Sequence, residues 1–386
     1  MMYMVVIGIL ALLDIAIVAL LAHLFFLPFR LGPAPPRLLD DGFFAGPGAM
    51  PQMRLYIDGE EAFEAVFQAI EGARQSVHVQ TFIWKDDSLG SRMVESLLAA
   101  ADRGARMTLS KDILGTFFEV LGKKGSLGPA FKDSRLRSNK NISVEINPLK
   151  PVDHSKYYII DGREVIFGGM NVADEYHDQW HDYMVGLHDE RLAGLMNKKL
   201  LSHDHWPEDA PFVIATNTKK EAQIRTGIVQ LIDAAKKRLV FEHAYFSADI
   251  ILEGIQRALA RGVDVDLILP KNPSTHGPAN RATVNRLLAS LHAERLRVFF
   301  YPTMTHAKAM VADGRIVAIG SANMTPRSLY VSGETVMFAH FEPDHSFLTR
   351  LNARLESDIL KSERIRDPFD MGPWEEAKAL AGKYIW

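Results

Sequence analysis

The chain has 386 residues, which is enough for two domains of ordinary size. Its hydrophobic content of 47% and charged content of 24% exclude a largely disordered chain. The net charge of −3 provides no overall field that attracts nucleic acid, and the lack of cysteine excludes disulfides, thiolate metal sites and a cysteine nucleophile.

The first 30 residues are predicted to form a membrane anchor. Residues 3–27 are apolar except for Asp14 and His23, and a helix crosses the hydrocarbon core with about 20 residues. A cleavable signal peptide is the rival interpretation, but no lysine or arginine precedes Arg30, the apolar stretch is too long, and no small-residue cleavage site is evident. Because Arg30 and Arg37 follow the span, the positive-inside rule places the main domain in the cytoplasm. We therefore predict a cell-membrane protein with one N-terminal span.

Two similar halves are predicted after this anchor. Residues 31–50 are rich in proline and glycine and are predicted to be a linker. A helix–strand–helix–strand pattern then occurs twice, and each copy begins with an apolar helical face, formed by Phe63, Val66, Phe67 and Ile70 in one and by Ile228, Leu231 and Ile232 in the other. The alternation predicts a duplicated α/β fold with halves at 51–205 and 206–350, followed by a helical tail at 351–386.

The strongest repeat is a polar motif. "HSKYYIIDGREVIFGGMN" begins at His154 and "HAKAMVADGRIVAIGSAN" begins at His306, at a separation of 306 − 154 = 152 residues. Side chains two apart on a strand share a face, so His154 and Lys156 point together, as do His306 and Lys308. A single His-x-Lys is common, but two copies with the same downstream spacing indicate a shared chemical role.

The centre of each motif is a predicted hairpin. Asp161 and Asp313 each precede a glycine between two apolar runs, and we assign them to two-residue turns rather than to catalysis. Such turns place residue 154 opposite residue 169 and residue 306 opposite residue 321. The Gly-x-x-Asn end of each motif then folds back, which brings Asn171 and Asn323 beside the His/Lys pairs.

Each cluster suits a phosphate group. Lysine and asparagine donate hydrogen bonds to anionic oxygens, and glycine lets the backbone approach closely. Imidazole titrates near neutral pH, so it can attack phosphorus or transfer a proton. Two such clusters facing each other would suit a phosphodiester, with one histidine attacking phosphorus and the other protonating the leaving oxygen. This chemistry requires no metal and no other cofactor.

Three other histidines have weaker signals. His203 and His205 could indicate a metal site, but they lack further clustered ligands, so a loop is favoured. His276 could line an active-site rim or simply lie in a loop, and the loop is again favoured.

The doubled motif resembles that of the phospholipase D superfamily, HxK(x)4D(x)6GG/GSxN. The resemblance covers essentially the whole chain after the anchor. It implies two α/β halves about a pseudo-twofold axis with one active site between them. It also implies a phosphohistidine intermediate, with His154 as the nucleophile, His306 as the general acid/base, and Lys156, Asn171, Lys308 and Asn323 binding the substrate phosphate.

Members of this superfamily also carry acidic residues that orient the histidine of the opposite half. Asp182 and Glu334 stand at the matching places, so we expect Asp182 to pair with His306 and Glu334 to pair with His154. Glu175 matches a position to which no role is assigned.

Within the superfamily, the anchor and the run "GGMNVADEY" followed by W-x-D are most similar to bacterial cardiolipin synthases and related phospholipases D. Two features depart from that pattern, since only one span is evident and Ser155 occupies a position that is commonly basic. The C-terminal Trp374, Tyr384 and Trp386 could contact a membrane interface, although an ordinary packed helix explains them equally well.

The resemblance implies a phosphatidyltransferase or phospholipase D that acts on phospholipid, with an alcohol or water as acceptor and the membrane as its location. A membrane-anchored nuclease with the same chemistry is the main alternative, but no nucleic-acid partner is expected because the chain lacks a basic excess. A non-enzymatic scaffold is disfavoured because both motifs are intact.

Overall fold

A computed structural model of the chain describes residues 32–48, 50–121, 127–146, 152–198, 201, 206, 210–218 and 220–385. The predicted anchor at 1–30 lies outside these residues. Among the residues that the structure describes, no helix is both long enough and apolar enough to cross a membrane.

The first half is built on a seven-stranded mixed sheet. Its strands are β1 (Met53–Ile57), β2 (Ser76–Thr81), β3 (Arg106–Lys111), β4 (Ile142–Ile146), β5 (Tyr157–Ile160), β6 (Glu164–Gly168) and β7 (Tyr183–His188). They lie in the order β1-β7-β6-β5-β2-β3-β4, with β2, β3 and β4 parallel and the remaining pairs antiparallel.

The second half repeats this topology in an eight-stranded sheet. Its strands are β8 (Phe212–Thr216), β9 (Arg238–His243), β10 (Asp264–Pro270), β11 (Leu296–Tyr301), β12 (Lys308–Ala312), β13 (Ile316–Gly320), β14 (Thr335–His340) and β15 (Glu363–Ile365). The order β8-β14-β13-β12-β9-β10-β11 matches that of the first sheet, and β15 is added beyond β11. The prediction of a duplicated α/β fold is therefore confirmed.

Helices connect the strands in both halves. Those before β8 are α1 (Asp41–Ala45), α2 (Asp58–Gly72), α3 (Ser88–Asp102), α4 (Ile113–Leu121), α5 (Pro129–Lys132), α6 (Ser134–Ser138), a π-helical turn (Glu175–Gln179) and α7 (Glu190–Asn197). Those after β8 are α8 (Gln223–Ala234), α9 (Asp249–Ala260), α10 (Gly277–Leu288), a 3₁₀ turn (Ala293–Arg295), α11 (Pro326–Tyr330), α12 (Ser346–Lys361) and α13 (Pro373–Ile385). The predicted apolar faces at 63–70 and 228–232 lie in α2 and α8 and are buried.

The two sheets pack face to face, and helices cover their outer faces. Because successive side chains on a strand point to opposite sides, strands buried on both faces are apolar throughout. In β6, Val165 and Phe167 enter the core between the sheets, whereas Ile166 packs against the outer helices. In β12, Val311 enters the same central core and Met310 faces outward. The central core thus joins the two halves into one four-layered body.

The segment predicted to be a linker and the segment predicted to be a tail both pack on the second half. Leu39 and Phe43 are fully buried in its outer core, and the backbone of Leu39 bonds to the Gln230 side chain. Helix α12 runs through the predicted boundary at residue 350, and β15 pairs with β11. Helix α13 packs on α10. The domain boundaries themselves remain predictions.

The register of the two motif hairpins differs from the prediction. Asp161 and Gly162 adopt the positive φ angles of a tight turn, 51° and 63°, and Asp313 and Gly314 do the same at 52° and 70°. However, Ile160 is paired with Glu164 and Ala312 with Ile316, so three residues lie between the paired ends. The extra residue shifts the register by one, and the predicted partners at 169 and 321 are wrong for this reason.

Candidate active site

His154 lies just before β5 and contacts a carboxylate of the other half. Its Nδ1 atom is 3.0 Å and 3.1 Å from the two carboxylate oxygens of Glu334. Because a carboxylate accepts, Nδ1 carries the proton and Nε2 retains its lone pair. The hydroxyls of Ser321 and Ser328 donate to Glu334 at 2.5 Å and 2.7 Å, which fixes the carboxylate in place.

His306 makes the equivalent contact in the opposite direction. Its Nδ1 atom lies 2.7 Å from Oδ2 of Asp182, whose Oδ1 accepts from the Tyr183 amide at 2.8 Å. Gly169 is required here, because a Cβ at that position would lie 2.4 Å from Oδ1 of Asp182. The second motif has Ser321 at the matching position, where the hydroxyl bonds to Glu334 instead of clashing with it.

The backbone explains why each acid reaches the histidine of the other half. The His154 amide donates to the Gly333 carbonyl at 2.8 Å, and the His306 amide donates to the His181 carbonyl at 2.6 Å. Each histidine is therefore paired with the residue that immediately precedes the opposing acid. Both contacts expected from the sequence, His154 with Glu334 and His306 with Asp182, are present.

Two buried lysines complete the polar centre. The Nζ atom of Lys156 bonds to the His154 carbonyl, and that of Lys308 bonds to the His306 carbonyl. Burial lowers the pKa of Lys156 to about 7 and the pKa of Lys308 to about 8. The charged form of each lysine therefore carries a cost in solvation, and an anionic ligand would offset that cost.

Burial also sets the charge of the histidines and their acids. It lowers the pKa of His154 to about 4, and burial together with the nearby lysines lowers the pKa of His306 well below its usual value. Burial raises the pKa of Asp182 to about 6. At neutral pH the free site therefore presents neutral imidazoles, which suits nucleophilic attack by a ring nitrogen.

The two ends of the site have different ring neighbours. The His306 ring stacks on Trp180 at a centroid distance of 5.6 Å and meets Tyr176 edge-on at 5.0 Å. The His154 ring meets Phe82 at 4.8 Å. The side chain of His154 is 17% exposed and that of His306 is 4% exposed, so His154 is the more accessible of the two.

The two motif asparagines are both buried. Asn171 donates through Nδ2 to the Tyr176 hydroxyl at 2.8 Å and accepts from the Ile83 amide at 3.0 Å. The Oδ1 atom of Asn323 has no hydrogen-bond partner among the described residues. Their predicted role in binding phosphate remains a prediction.

Asp161 and Asp313 lie away from this centre and hold the hairpins in place. The Asp161 carboxylate accepts from the backbone amides of residues 74–76, and the Asp313 carboxylate accepts from those of residues 236–238. Each motif turn is thereby tied to the start of the neighbouring strand, β2 or β9.

The other candidate residues have varied positions. His276 is buried at the start of α10, bonds to the Ser247 hydroxyl, and lies 5.5 Å from the Tyr245 ring, which in turn is 6.2 Å from the His306 ring. Glu175 forms an ion pair with Lys85. His203 and His205 lie outside the described residues.

Trp374 is exposed at the start of α13. The side chain of Tyr384 and residue Trp386 lie outside the part of the chain that the structure describes.

Sequence reasoning missed Tyr176 and Ser328. They occupy equivalent positions, since 176 + 152 = 328, yet one binds Asn171 and the other binds Glu334. Their spacing from the motif could have identified both positions. Because the two side chains differ, a comparison of the two halves does not mark either position as functional.

A duplicated fold with two facing His/Lys sets, each histidine paired with an acid of the other half, defines the phospholipase D class of enzymes. The family described as "Cardiolipin synthase, PLD-like domain" matches residues 66–204 and 228–359. The chain belongs to this family.

Relatives agree with this assignment. The chain is 29% identical over 348 residues to a cardiolipin synthase of Listeria welshimeri, which covers 81% of this chain and 70% of that protein. It is 26% identical over 340 residues to a major cardiolipin synthase of Bacillus subtilis, with 80% and 68% coverage.

Two solved structures share the fold. A phosphatidylserine synthase of Haemophilus influenzae has a TM-score of 0.65 at 14% identity and covers 85% of this chain and 91% of that one. A polyphosphate kinase of Porphyromonas gingivalis has a TM-score of 0.57 at 16% identity, with 91% and 56% coverage. At these identities the likeness concerns the fold alone.

Proposed function

We propose that the protein is a phosphatidyltransferase that forms cardiolipin from two molecules of phosphatidylglycerol. The observation that carries this proposal is the single centre in which both complete His/Lys sets meet, each with its acid partner at 2.7–3.1 Å. The family assignment and the cardiolipin synthase relatives support a phospholipid as the substrate.

In the first step, Nε2 of His154 attacks the phosphorus of the donor lipid. A P–N bond forms and the P–O bond to glycerol breaks. The leaving oxygen takes a proton from His306, which must therefore be protonated when the lipid is bound. Burial lowers the pKa of His306 in the free site, and the charges of Lys308 and Lys156 lower it further. The negative phosphodiester offsets these two charges, so substrate binding favours this protonation.

In the second step, a hydroxyl of the acceptor lipid gives its proton to the now neutral His306. The acceptor oxygen attacks phosphorus, a P–O bond forms and the P–N bond to His154 breaks. Cardiolipin is released and both histidines return to their starting state. The same step with water would produce phosphatidic acid. The two lysines stabilise the charge on the phosphoryl oxygens in both steps.

His154 is assigned as the nucleophile because it is the more exposed of the two rings, while Glu334 holds its Nδ1 proton and leaves Nε2 free. We also propose that residues 3–27 anchor the protein in the cell membrane, which would keep the site close to its lipid substrate.

The proposal is tested with full-length protein in detergent, incubated with phosphatidylglycerol in the presence of EDTA. We expect cardiolipin and glycerol in equal amounts. We expect that the His154→Ala and Glu334→Gln variants lose about 10³-fold or more in rate, because the nucleophile or its orientation is removed. Glu342→Gln, an exposed carboxylate on the second half, is the matched control.

The assignment of the nucleophile has its own measurement. With phosphatidylglycerol labelled in its phosphatidyl group, His306→Ala protein denatured with SDS at neutral pH should retain label, because the P–N bond is stable there, and His154→Ala protein should retain none. Phosphatidic acid as the product would show a hydrolase. Cleavage of bis(p-nitrophenyl) phosphate or an oligonucleotide without any lipid turnover would contradict the lipid proposal.

A further inference from the structure

A buried ionic cluster lies directly behind the His306 end of the site. At its centre is His181, whose Nδ1 atom is 2.5 Å from Oδ1 of Asp58. Its Nε2 atom is 3.3 Å from Oδ2 of Asp358 and 3.5 Å from Oε1 of Glu242. Carboxylate oxygens thus lie near both ring nitrogens, at ion-pair distances for Nε2, which is the arrangement expected of a doubly protonated, cationic imidazole. The guanidinium Nη2 of Arg354 also lies 2.9 Å from Nδ1.

A metal ion is the alternative occupant, since the ligand atoms of His181, Glu242 and Asp358 lie within 4.8 Å of one another. The carboxylates already have protein donors, however. Glu242 accepts from the hydroxyls of Thr305 and Tyr183, each at 2.9 Å.

Arg354 supplies the donors for the other two carboxylates, Asp358 and Asp58. Its Nε atom is 3.0 Å and 2.8 Å from the two oxygens of Asp358, and its Nη1 atom is 3.1 Å from Asp58. The guanidinium thus already contacts the carboxylate oxygens that a metal ion would have to bind. With three carboxylates and one arginine, a protonated His181 leaves the cluster one charge from neutrality.

The charges around His181 agree with this arrangement. Burial by itself lowers its pKa, but Glu242, Asp358 and Asp58 outweigh burial and hold the pKa of His181 well above its usual value. Loss of the proton would remove one of the cations that balance these three carboxylates.

The cluster is connected to the reacting centre through the backbone. The His181 carbonyl accepts from the His306 amide at 2.6 Å, and the His181 amide donates to the Met304 carbonyl at 3.1 Å. The next residue, Asp182, holds the His306 ring. The main chain and the side chain of His306 are therefore both supported by residues 181 and 182.

This support exists at only one end of the site. The position equivalent to His181 in the second half is 181 + 152 = 333, which is Gly333. Gly333 makes the same backbone bridge to His154 but has no side chain to anchor it.

We propose that His181 is a positioning residue for His306. As a fixed cation among Asp58, Glu242 and Asp358, it secures the strand segment that carries Asp182 and favours the charged form of that carboxylate. The inference rests on the proposed function, because it assigns His181 to the same transfer reaction. The charged or titratable groups that face Asp182 are Lys308, His181 and Lys156, together with the His306 ring that it binds.

The charge of His181 has a consequence for pH dependence. The pKa of Asp182 is about 6, raised by burial and held down by the nearby cations, of which His181 is one. Activity should fall as the pH falls through this value, because protonated Asp182 no longer accepts from Nδ1 of His306. Removal of the His181 charge raises the pKa of Asp182, so the acid limb of the pH–rate profile must move to higher pH.

The test uses full-length protein and phosphatidylglycerol in mixed micelles, with kcat, KM and Tm measured from pH 5 to 9. In the His181→Gln variant we expect the acid limb to rise by about 0.5–1 pH unit and kcat at pH 6.5 to fall by about 1.5- to 3-fold, with KM little changed. His181→Lys should keep the limb in place because it keeps the charge. Thr305→Val, which removes a hydroxyl from the same cluster but no charge, should lower Tm without moving the limb.

A direct measurement on the native chain covers the case in which the Gln variant does not fold. With ¹⁵N-labelled histidine, one imidazole should show both ring nitrogens protonated at pH 8.5. The inference would be overturned if the acid limb of the His181→Gln variant stayed at the native position, or if no doubly protonated imidazole were found at pH 8.5. It would also be overturned if protein dialysed against a chelator retained one equivalent of metal. Failure of the proposed function is distinguishable, because native protein would then turn over no phosphatidylglycerol at any pH.

Discussion

Lys156 and Lys308 show how a residue can serve the reaction at the expense of the fold. Both ammonium groups are buried in the free site, and burial lowers the pKa of Lys156 to about 7 and the pKa of Lys308 to about 8. Because these values lie below the value of an unfolded lysine, the folded protein loses these protons first as the pH rises. The stability of the native protein relative to the unfolded chain should therefore increase as the pH rises above about 7.

From this we predict that Lys156→Met inactivates the protein and stabilises it. Methionine fills a similar volume without a charge to desolvate, so Tm should rise by several degrees at pH 6.5. The gain should shrink at pH 9, where the native lysine has lost its proton in the folded state. Thermal unfolding at the two pH values measures both effects.

The exposed Lys236 provides the matched control, since Lys236→Met removes the same charge from the surface. Its Tm should change little at either pH. A lower Tm for Lys156→Met at both pH values would show instead that attraction between Lys156 and Glu334 outweighs the cost of burial.

At this same scale, the sequence predicted the residues that repeat and missed those that do not. The two histidines and two lysines are identical in both copies, and Asp182 and Glu334 are chemically alike, so duplication made them visible. Trp180 and Tyr245 also contact the His306 ring, but on one side of the pseudo-twofold axis only. Residues that pack around only one of the two histidines have no counterpart in the other copy of the motif. Such contacts are therefore found only in the structure.

At the scale of the element, the motif hairpins are fixed by their turns. The positive φ angles of Asp161 and Gly162 were predictable from the Asp-Gly pair. The third connecting residue, Arg163, was not predictable, because Asp-Gly also occurs in three-residue connections and the apolar runs on either side fit both registers. A shift of one residue changes which side chains are opposite each other across the hairpin.

The turn carboxylates give a prediction at this scale. Asp161 accepts from three consecutive backbone amides, so Asp161→Ala leaves these donors without their partner and should cost about 1–2 kcal/mol of the free energy of unfolding. Activity per folded molecule should be unchanged, because the carboxylate is remote from the histidines. Chemical denaturation together with kcat measures the two quantities.

Asp313→Ala should behave in the same way, since Asp313 binds three amides in the second half. Asp161→Asn, which keeps one acceptor oxygen, should lie between the alanine variant and the native protein. A loss of kcat in Asp161→Ala at full stability would contradict the structural role and indicate one in catalysis.

At the scale of the whole molecule, the duplication was evident from the sequence but the packing of its ends was not. Residues 31–50 have the composition of a linker, yet Leu39 and Phe43 are buried against the second half. A high proline and glycine content indicates which backbone conformations a segment prefers. It does not indicate whether the segment packs against the rest of the protein. The same limit applies to α13, whose sequence does not reveal that it packs on α10.

Because the two halves share the core between their sheets, each chain should form one complete and independent site. The inner face of each sheet is covered by the other, and the paired acids cross within the same chain. Exchange of halves between two chains would require that entire core to open before it could form again between them. We therefore predict that His154→Ala and His306→Ala chains do not complement each other, even though each carries the histidine that the other lacks.

The measurement co-expresses the two variants with different affinity tags, purifies them through both tags and assays cardiolipin formation from phosphatidylglycerol. We expect no activity above that of either variant alone, because a site in which one histidine is missing cannot both bind the phosphatidyl group and transfer the proton. Native protein co-expressed with His154→Ala should retain activity in proportion to its amount, which controls for inhibition by the inactive chain. Restored activity in the mixed pair would require sites built from two chains, and the shared core would then have to be assembled from halves of different molecules.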